Sequence, residues 1–101
     1  MKITGNWQSR QIWLDEKLLS PSASQWLRNH SPDGFNWGYG GGGPAQLALA
    51  ILLELYGKEF AQQHYQDFKF EFVAALPQAD FDLDYNFDGW KAKTETKGRK
   101  L

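Results

Sequence analysis

An apolar segment bounded by a proline and a glycine dominates this sequence. Residues 45–56 contain only two polar side chains, Gln46 and Glu54. Pro44 suits the first turn of a helix, where its missing N–H is no loss, and Gly57 suits the position just past the end. A helix that is apolar on nearly all sides must be surrounded by protein, and this one is too short to span a bilayer. The pattern therefore predicts a buried central helix that the rest of the chain encloses.

The remaining segments predict the layers that cover this helix. Apolar residues recur every three or four positions in residues 58–76, which indicates a second, amphipathic helix. Residues 81–87 alternate between apolar side chains and polar, mostly acidic ones, as a strand with one buried face does. The first twenty residues predict a β-hairpin that Pro21 stops, and residues 20–28 fit either a short helix or another strand. We therefore expect an α+β fold, in which a small antiparallel sheet, made of the N-terminal hairpin and a C-terminal strand, packs on two helices, one fully buried.

The length and the distribution of charge set the domain organisation. A chain of 101 residues is long enough for one domain and not for two. We predict a single globular domain over residues 1–90 and a basic, flexible tail over residues 91–101, which hold five bases and one acid. The first ninety residues carry eleven acids and six bases, so this body would be repelled by nucleic-acid phosphates. A nucleic-acid partner is therefore not expected, although a weak contact of the tail with nucleic acid or an acidic partner stays open.

The absence of cysteine excludes several chemistries. A chain without cysteine has no disulfide framework, no thiol nucleophile and no thiolate metal site. The first residues have no apolar signal core, and no apolar run reaches membrane-spanning length. We therefore expect a cytoplasmic protein that has no contact with a membrane.

A glycine-rich loop precedes the predicted central helix. Six of the ten glycines lie between positions 34 and 43, and four of them are consecutive. The first turn of a helix offers unpaired N–H groups and the positive end of the dipole, and glycine lets a ligand approach the backbone closely. The loop is not a P-loop, because no Lys-Ser/Thr pair follows it, and a dinucleotide-binding loop would need a preceding buried strand. The alternative is a structural loop that only allows the chain to enter a crowded core.

Side chains near this loop complete a candidate binding site. Phe35, Trp37 and Tyr39 alternate, so in an extended segment they share one face, which is either core or a stacking surface. We predict a non-enzymatic binding module for a small polar or anionic ligand, or for a peptide segment, with no cofactor. The candidate ligand-binding residues are His30, Asp33, Asn36, Trp37, Tyr39, Gly40, Gly41, Gly42, Gly43 and Gln46.

Two other functions stay open at this point. The first is a protein–protein interaction or homodimeric protein with a purely structural glycine loop, which would bury spare aromatic residues such as Trp7, Trp13 or Trp26. The second is a small hydrolase or transferase in which Asp33, His30 and Asp84 act as acid and base groups. The sequence shows no convincing pairing of a nucleophile with a base for the second function.

One further motif matches a calcium-binding loop. Residues 84–95 satisfy every fixed position of the pattern D-x-[DN]-x-[DN]-G-x5-E. A true site of this kind needs a helix entering the loop, whereas residues 80–84 alternate like a strand. Lys91 also stands where such loops usually carry an aliphatic residue. We therefore predict no metal site here.

The segment SPDGFNWGYGGGGPAQLALAIL, residues 31–52, resembles a known family. It is similar to small bacterial, archaeal and phage proteins grouped as a domain of unknown function, with the signature SPDGFxWGYGGxGPAQLALAIL. The resemblance continues through Ala61, Tyr65 and Phe68 and covers most of residues 1–90, but Gly42 stands where many of those proteins carry serine. It implies a standalone soluble intracellular protein without assigning an activity, and it makes the calcium-loop match look incidental.

Overall fold

The computed structural model describes residues 1–97, and within them the strands form one antiparallel sheet. The four strands are β1 (Lys2–Asn6), β2 (Gln11–Leu14), β3 (Lys17–Leu18) and β4 (Phe81–Asp84). Their order in the sheet is β3-β2-β1-β4, so the C-terminal strand pairs with the outer side of the N-terminal hairpin. Gly5 of β1 pairs with Ile12 of β2 on one side and with Phe81 of β4 on the other. The predicted α+β fold and its sheet are confirmed.

The predicted central helix is the most buried element of the described chain. Helix α1 (Ser22–Leu27) precedes it, which decides the open choice for residues 20–28 in favour of a helix. Helix α2 (Gly42–Tyr56) has ten consecutive buried residues, 43–52, and it ends at Gly57, whose φ is +86°. It shares one apolar core with the inward-facing side chains of the sheet, such as Ile3 and Ile12.

The second predicted helix changes its winding partway along. Helix α3 (Lys58–Phe68) packs on α2 and continues into a π-helical turn, Lys69–Val73, rather than running on as α-helix to residue 76. The backbone N–H of Ala74 bonds the carbonyl of Lys69 at 2.8 Å, which closes this wider turn. The extra residue in the turn keeps Phe68, Phe72 and Val73 all buried, while Phe70 is 65% exposed.

A last helix, α4 (Phe87–Lys97), follows β4 and was not predicted. The alternation expected through residue 87 ends at Asp84, and the side-chain oxygen of Asn86 accepts from the backbone N–H of Gly89 at 2.9 Å, which caps the new helix. Phe87 and Trp90 bury its inner face against the Phe68 ring. The predicted domain boundary after residue 90 falls inside this helix. The flexibility of the tail stays a prediction, and residues 98–101 lie outside the described part of the chain.

The residues of the calcium-loop pattern have other roles in this segment. Asn86 is the helix cap, and Asp88 accepts a hydrogen bond from the hydroxyl of Tyr56. Burial and this bond to Asp88 raise the pKa of Tyr56 above its ordinary value. Among residues 1–97, no three His, Asp or Glu side chains gather as a metal ion would need. None of the helices in that range is long and apolar enough to cross a membrane.

Candidate functional site

A single glutamine ties the loop before α2 to the helix itself. Gln46 is fully buried, and its Oε1 accepts from the backbone N–H groups of His30 at 2.7 Å and Ser31 at 3.0 Å. Its Nε2 donates to the hydroxyl of Ser24 at 2.9 Å and to the carbonyl of Arg28 at 3.1 Å. These four bonds use both donors and both acceptor positions of the amide. The structure therefore places Gln46 behind the loop, where it holds the chain between α1 and α2 against the central helix.

The alternating aromatic residues are divided between core and surface. Trp37 is fully buried, with its ring edge-on to those of Trp7 at 5.4 Å and Phe81 at 5.3 Å between centroids. Its indole N–H donates to the carbonyl of Ala79 at 3.3 Å. Phe35 is also buried, whereas Tyr39 is 42% exposed. Of the three, Tyr39 alone stands at the surface.

Gly42 and Gly43, two of the four consecutive glycines, lie too close to other residues of the protein to carry a side chain. None of residues 40–43 has a positive φ, so backbone conformation alone does not demand glycine there. A Cβ on Gly42 would lie 2.5 Å from the carbonyl oxygen of His30, and one on Gly43 would lie 2.5 Å from the Cβ of Asn36. A Cβ on Gly40 would meet nothing nearer than the Phe70 ring, at 3.4 Å. Tight packing therefore explains glycine at 42 and 43 and leaves Gly40 without that explanation.

We expect Gly43→Ala to lower the free energy of unfolding by about 1–3 kcal/mol, the usual cost of forcing a methyl group into a packed interior. The matched variant Gly40→Ala should change it by less than about 1 kcal/mol, because its methyl group has room and alanine restricts the unfolded chain. Urea unfolding of the two variants beside wild type measures the difference. Equal costs at the two positions would show that the packing at Asn36 is not what selects glycine.

The exposed part of this loop combines unpaired amides with two aromatic rings. Within the described chain, the N–H groups of residues 40–43 donate no hydrogen bond, and no side chain caps α2. A Cβ on Gly41 would lie 2.6 Å from the Tyr39 ring, and the Phe70 ring stands beside Gly40. We call this patch the loop surface; it consists of Tyr39, Gly40, Gly41, Gly42 and Phe70. It presents hydrogen-bond donors and apolar rings together at the positive end of the α2 dipole.

Phe70 is the member of the loop surface that sequence reasoning missed. It lies two residues after Phe68, off the face that the helical spacing assigns to the core, so a continuous helix gives it no role. The π-helical turn places it beside Gly40, with the ammonium of Lys69 4.2 Å from the centre of its ring. The sequence did contain one indication of a surface role for Phe70, namely a large apolar side chain on an otherwise polar helix face.

The polar residues predicted for the site do not gather around one point. The ring Nε2 of exposed His30 lies 2.7 Å from the hydroxyl of Tyr65. Asn36 turns inward, and its Oδ1 accepts from the backbone N–H of Trp37. Asp33 lines a separate cavity beside Arg10. In residues 1–97 no hydrogen bond or ion pair joins His30 to a carboxylate, so the acid and base groups of the hydrolase alternative are not assembled.

The fold and the loop surface define a small α+β domain with an exposed aromatic patch at the start of its buried helix. A family model described as "Family of unknown function (DUF6166)" matches residues 4–94, and the chain therefore belongs to that family. Searches of the curated proteins and of the solved structures found no match to the chain. Family membership assigns no activity, and the signature over residues 31–52 stays a prediction.

Proposed function

We propose that this protein is a non-enzymatic binding module whose loop surface takes a peptide segment of a protein partner. The observation that carries the proposal is the pair of exposed rings, Tyr39 and Phe70, beside backbone amides that bond no residue among 1–97. Aromatic residues are enriched at protein interfaces, and exposed rings that flank hydrogen-bond donors suit an apolar side chain next to a polar group. The module acts in the cytoplasm in this proposal, and Trp37, Gln46 and Gly43 support the loop from behind.

The shape of the loop surface favours a peptide over a small molecule. Small-molecule sites are concave and bury most of their ligand. Cavities beside Tyr56 and beside Arg10 lie away from the loop surface, and a third touches it through Phe70 alone. An extended peptide can make contacts along the whole of an open surface, whereas a small molecule covers only a part of it. An extended peptide is therefore the better fit to the loop surface.

The charge of the loop surface favours an acidic segment. The amides at the start of α2 carry the positive end of the helix dipole, and Lys69 adds a cation next to Phe70. A carboxylate accepts hydrogen bonds from such amides, and the residues beside it would rest on the two rings. The expected ligand is therefore a short extended segment with one acidic side chain between apolar ones.

Amide chemical shifts can test the proposal directly. The probe is a blocked pentapeptide with a central aspartate between leucines, and its control is the same peptide with asparagine in the centre. We expect the aspartate peptide to shift the amide resonances of residues 40–43, and the asparagine peptide to bind more weakly. Tyr39→Ala combined with Phe70→Ala should weaken binding at least tenfold, as loss of central interface aromatics does.

Trp26→Ala is the matched control, because it removes an aromatic ring that is 93% exposed on another helix. It should leave peptide binding unchanged. Shifts that map away from the loop, or a double variant that binds as wild type does, would contradict the proposal. A concentration-dependent shift of the same amides without peptide would instead favour the homodimer alternative, with a second copy of the chain as the partner.

A further inference from the structure

A cavity of about 260 Å³ lies beside the turn that joins β1 to β2. Residues from three separate segments line it, among them Ser9, Arg10, Leu18, Leu19, Asp33 and Phe35. We infer that this Arg10 cavity is a binding site for a small organic monocarboxylate with an apolar body, and that the Arg10 guanidinium holds the carboxylate. The inference goes beyond the proposed function, because no residue of the loop surface takes part in it.

The guanidinium of Arg10 is held in place before any ligand arrives. Its central carbon lies 3.5 Å from the centre of the Trp7 ring, so the planar group stacks on the indole. Its Nε donates to the side-chain oxygen of Asn36 at 3.2 Å. A cation fixed in this way loses little conformational freedom when it binds an anion.

The outer nitrogens of this guanidinium have no partner among residues 1–97. The hydrogen bond to Asn36 uses Nε, and no acceptor in that range bonds either Nη atom. None of the ion pairs formed there includes Arg10. A guanidinium presents two parallel N–H donors that match the two oxygens of a carboxylate. The guanidinium is thus held in place on one side, and on the other its Nη atoms are open to solvent and free to bind an anion.

The backbone at Arg10 is left-handed, as hairpin turns often require. Its φ is +60°, in the left-handed region where glycine and asparagine are the favoured residues. The turn is closed by the backbone N–H of Arg10 bonding the carbonyl of Asn6 at 2.8 Å and by the side chain of Asn6 accepting from Ser9. Asp15 and Glu16, in the turn between β2 and β3, also have positive φ, so this conformation is common to both hairpin turns of the sheet.

The other residues that line the Arg10 cavity indicate which class of ligand it would bind. Leu19 and Phe35 are nearly buried, and Leu18 is half exposed, so the cavity offers an apolar surface for the body of the ligand. Asp33 lines the same cavity and repels an anion in proportion to its charge, so a singly charged carboxylate is favoured over a phosphate. The volume lies just below the roughly 300 Å³ at which drug-sized pockets begin, so the ligand is small.

The first test uses 3-phenylpropionate as the probe, with 3-phenylpropanamide and inorganic phosphate as controls. We expect 3-phenylpropionate to cause saturable shifts of the Trp7 indole N–H and of the Ser9 and Phe35 amides. The neutral amide should bind at least tenfold more weakly, because it lacks the charge that the guanidinium recognises. Phosphate should also bind at least tenfold more weakly. Absence of saturable shifts at tens of millimolar probe, or equal binding of phosphate, overturns the inference.

The second test assigns the recognition to Arg10. Arg10→Lys should weaken 3-phenylpropionate binding at least tenfold, because an ammonium neither stacks on Trp7 nor offers two parallel donors. Arg28→Lys, the same change at an exposed arginine outside the cavity, should leave binding unchanged. If Arg10→Lys binds as wild type does, the inference fails.

A third pair of variants keeps Arg10 and the turn intact. Leu18 is half exposed on edge strand β3, so charged residues are tolerated there. Both Leu18→Asp and Leu18→Lys lose the same apolar contact, so they differ in the sign of the added charge, and Leu18→Asp should bind the carboxylate severalfold more weakly than Leu18→Lys. Equal binding by the two variants contradicts the inference even if Arg10→Lys unfolds the turn. The peptide experiment on the loop surface can fail without affecting any of these results.

Discussion

Replacing Trp37 with alanine is expected to lower the free energy of unfolding by about 3–5 kcal/mol, which is the usual cost of removing a buried aromatic side chain. Trp37 is fully buried, its ring contacts those of Trp7 and Phe81, and its indole N–H bonds the carbonyl of Ala79. The alanine variant loses all of these contacts and leaves a cavity between the sheet and residues 35–38. Urea unfolding followed by far-ultraviolet circular dichroism measures the change.

Two further variants show which part of Trp37 matters. Trp37→Phe keeps most of the ring contacts but loses the bond to Ala79, so it should fall between wild type and the alanine variant. Trp26→Ala removes an equally large side chain that is 93% exposed, and it should change the free energy of unfolding by no more than about 0.5 kcal/mol. If Trp37→Ala costs no more than Trp26→Ala, the aromatic ring is not part of the core and belongs to the exposed patch instead.

The sequence predicted the elements whose pattern is local and strong. Helix α2 has a run of apolar residues between a proline and a glycine, and only burial can satisfy such a run. The alternation at residues 81–84 places β4 in the sheet, and the N-terminal hairpin follows from β-favouring residues interrupted by turns. For these elements the spacing of apolar residues in the sequence agrees with the side chains that the structure buries.

Helix α4 was missed because its signals are weak in the sequence alone. Its inner face consists of Phe87 and Trp90, too few apolar residues to show a helical period. Its start depends on the side chain of Asn86, which caps the helix, although asparagine before aspartate and glycine is equally typical of a turn. The burial of these two rings against Phe68 decides between helix and turn, and that contact joins residues far apart in the chain.

The sequence predicted where the glycine loop lies relative to the central helix, but a binding site at this loop stays a prediction. The glycine loop does lie at the start of α2, but packing at His30 and Asn36 explains two of its glycines. Phe70 joins the loop surface only because a π-helical turn shifts the phase of the helix, and a regular helical period cannot show this. The Arg10 cavity combines side chains from three distant segments, so no local pattern marks it.

Gln46 was predicted as a ligand-binding residue, and its hydrogen bonds make it the polar side chain whose loss should cost most. Gln46→Leu keeps the approximate volume and removes all four bonds to Ser24, Arg28, His30 and Ser31. A buried polar group left without a partner costs about 1–3 kcal/mol. Some of these groups lie near the surface and can bond water, so we expect a total loss of about 3 kcal/mol or more.

A loss of this size should lower the melting temperature by roughly 12 °C or more, since 1 kcal/mol corresponds to about 4–8 °C in a domain of this length. The backbone amides of His30 and Ser31 should also exchange with solvent faster than in wild type, because Gln46 is their acceptor. Gln63→Leu, on the exposed face of α3, is the control and should change neither quantity much. Unchanged exchange of the two amides in Gln46→Leu would mean that the loop is held by other contacts. The close packing of Gly42 on the carbonyl of His30 would then need a different explanation.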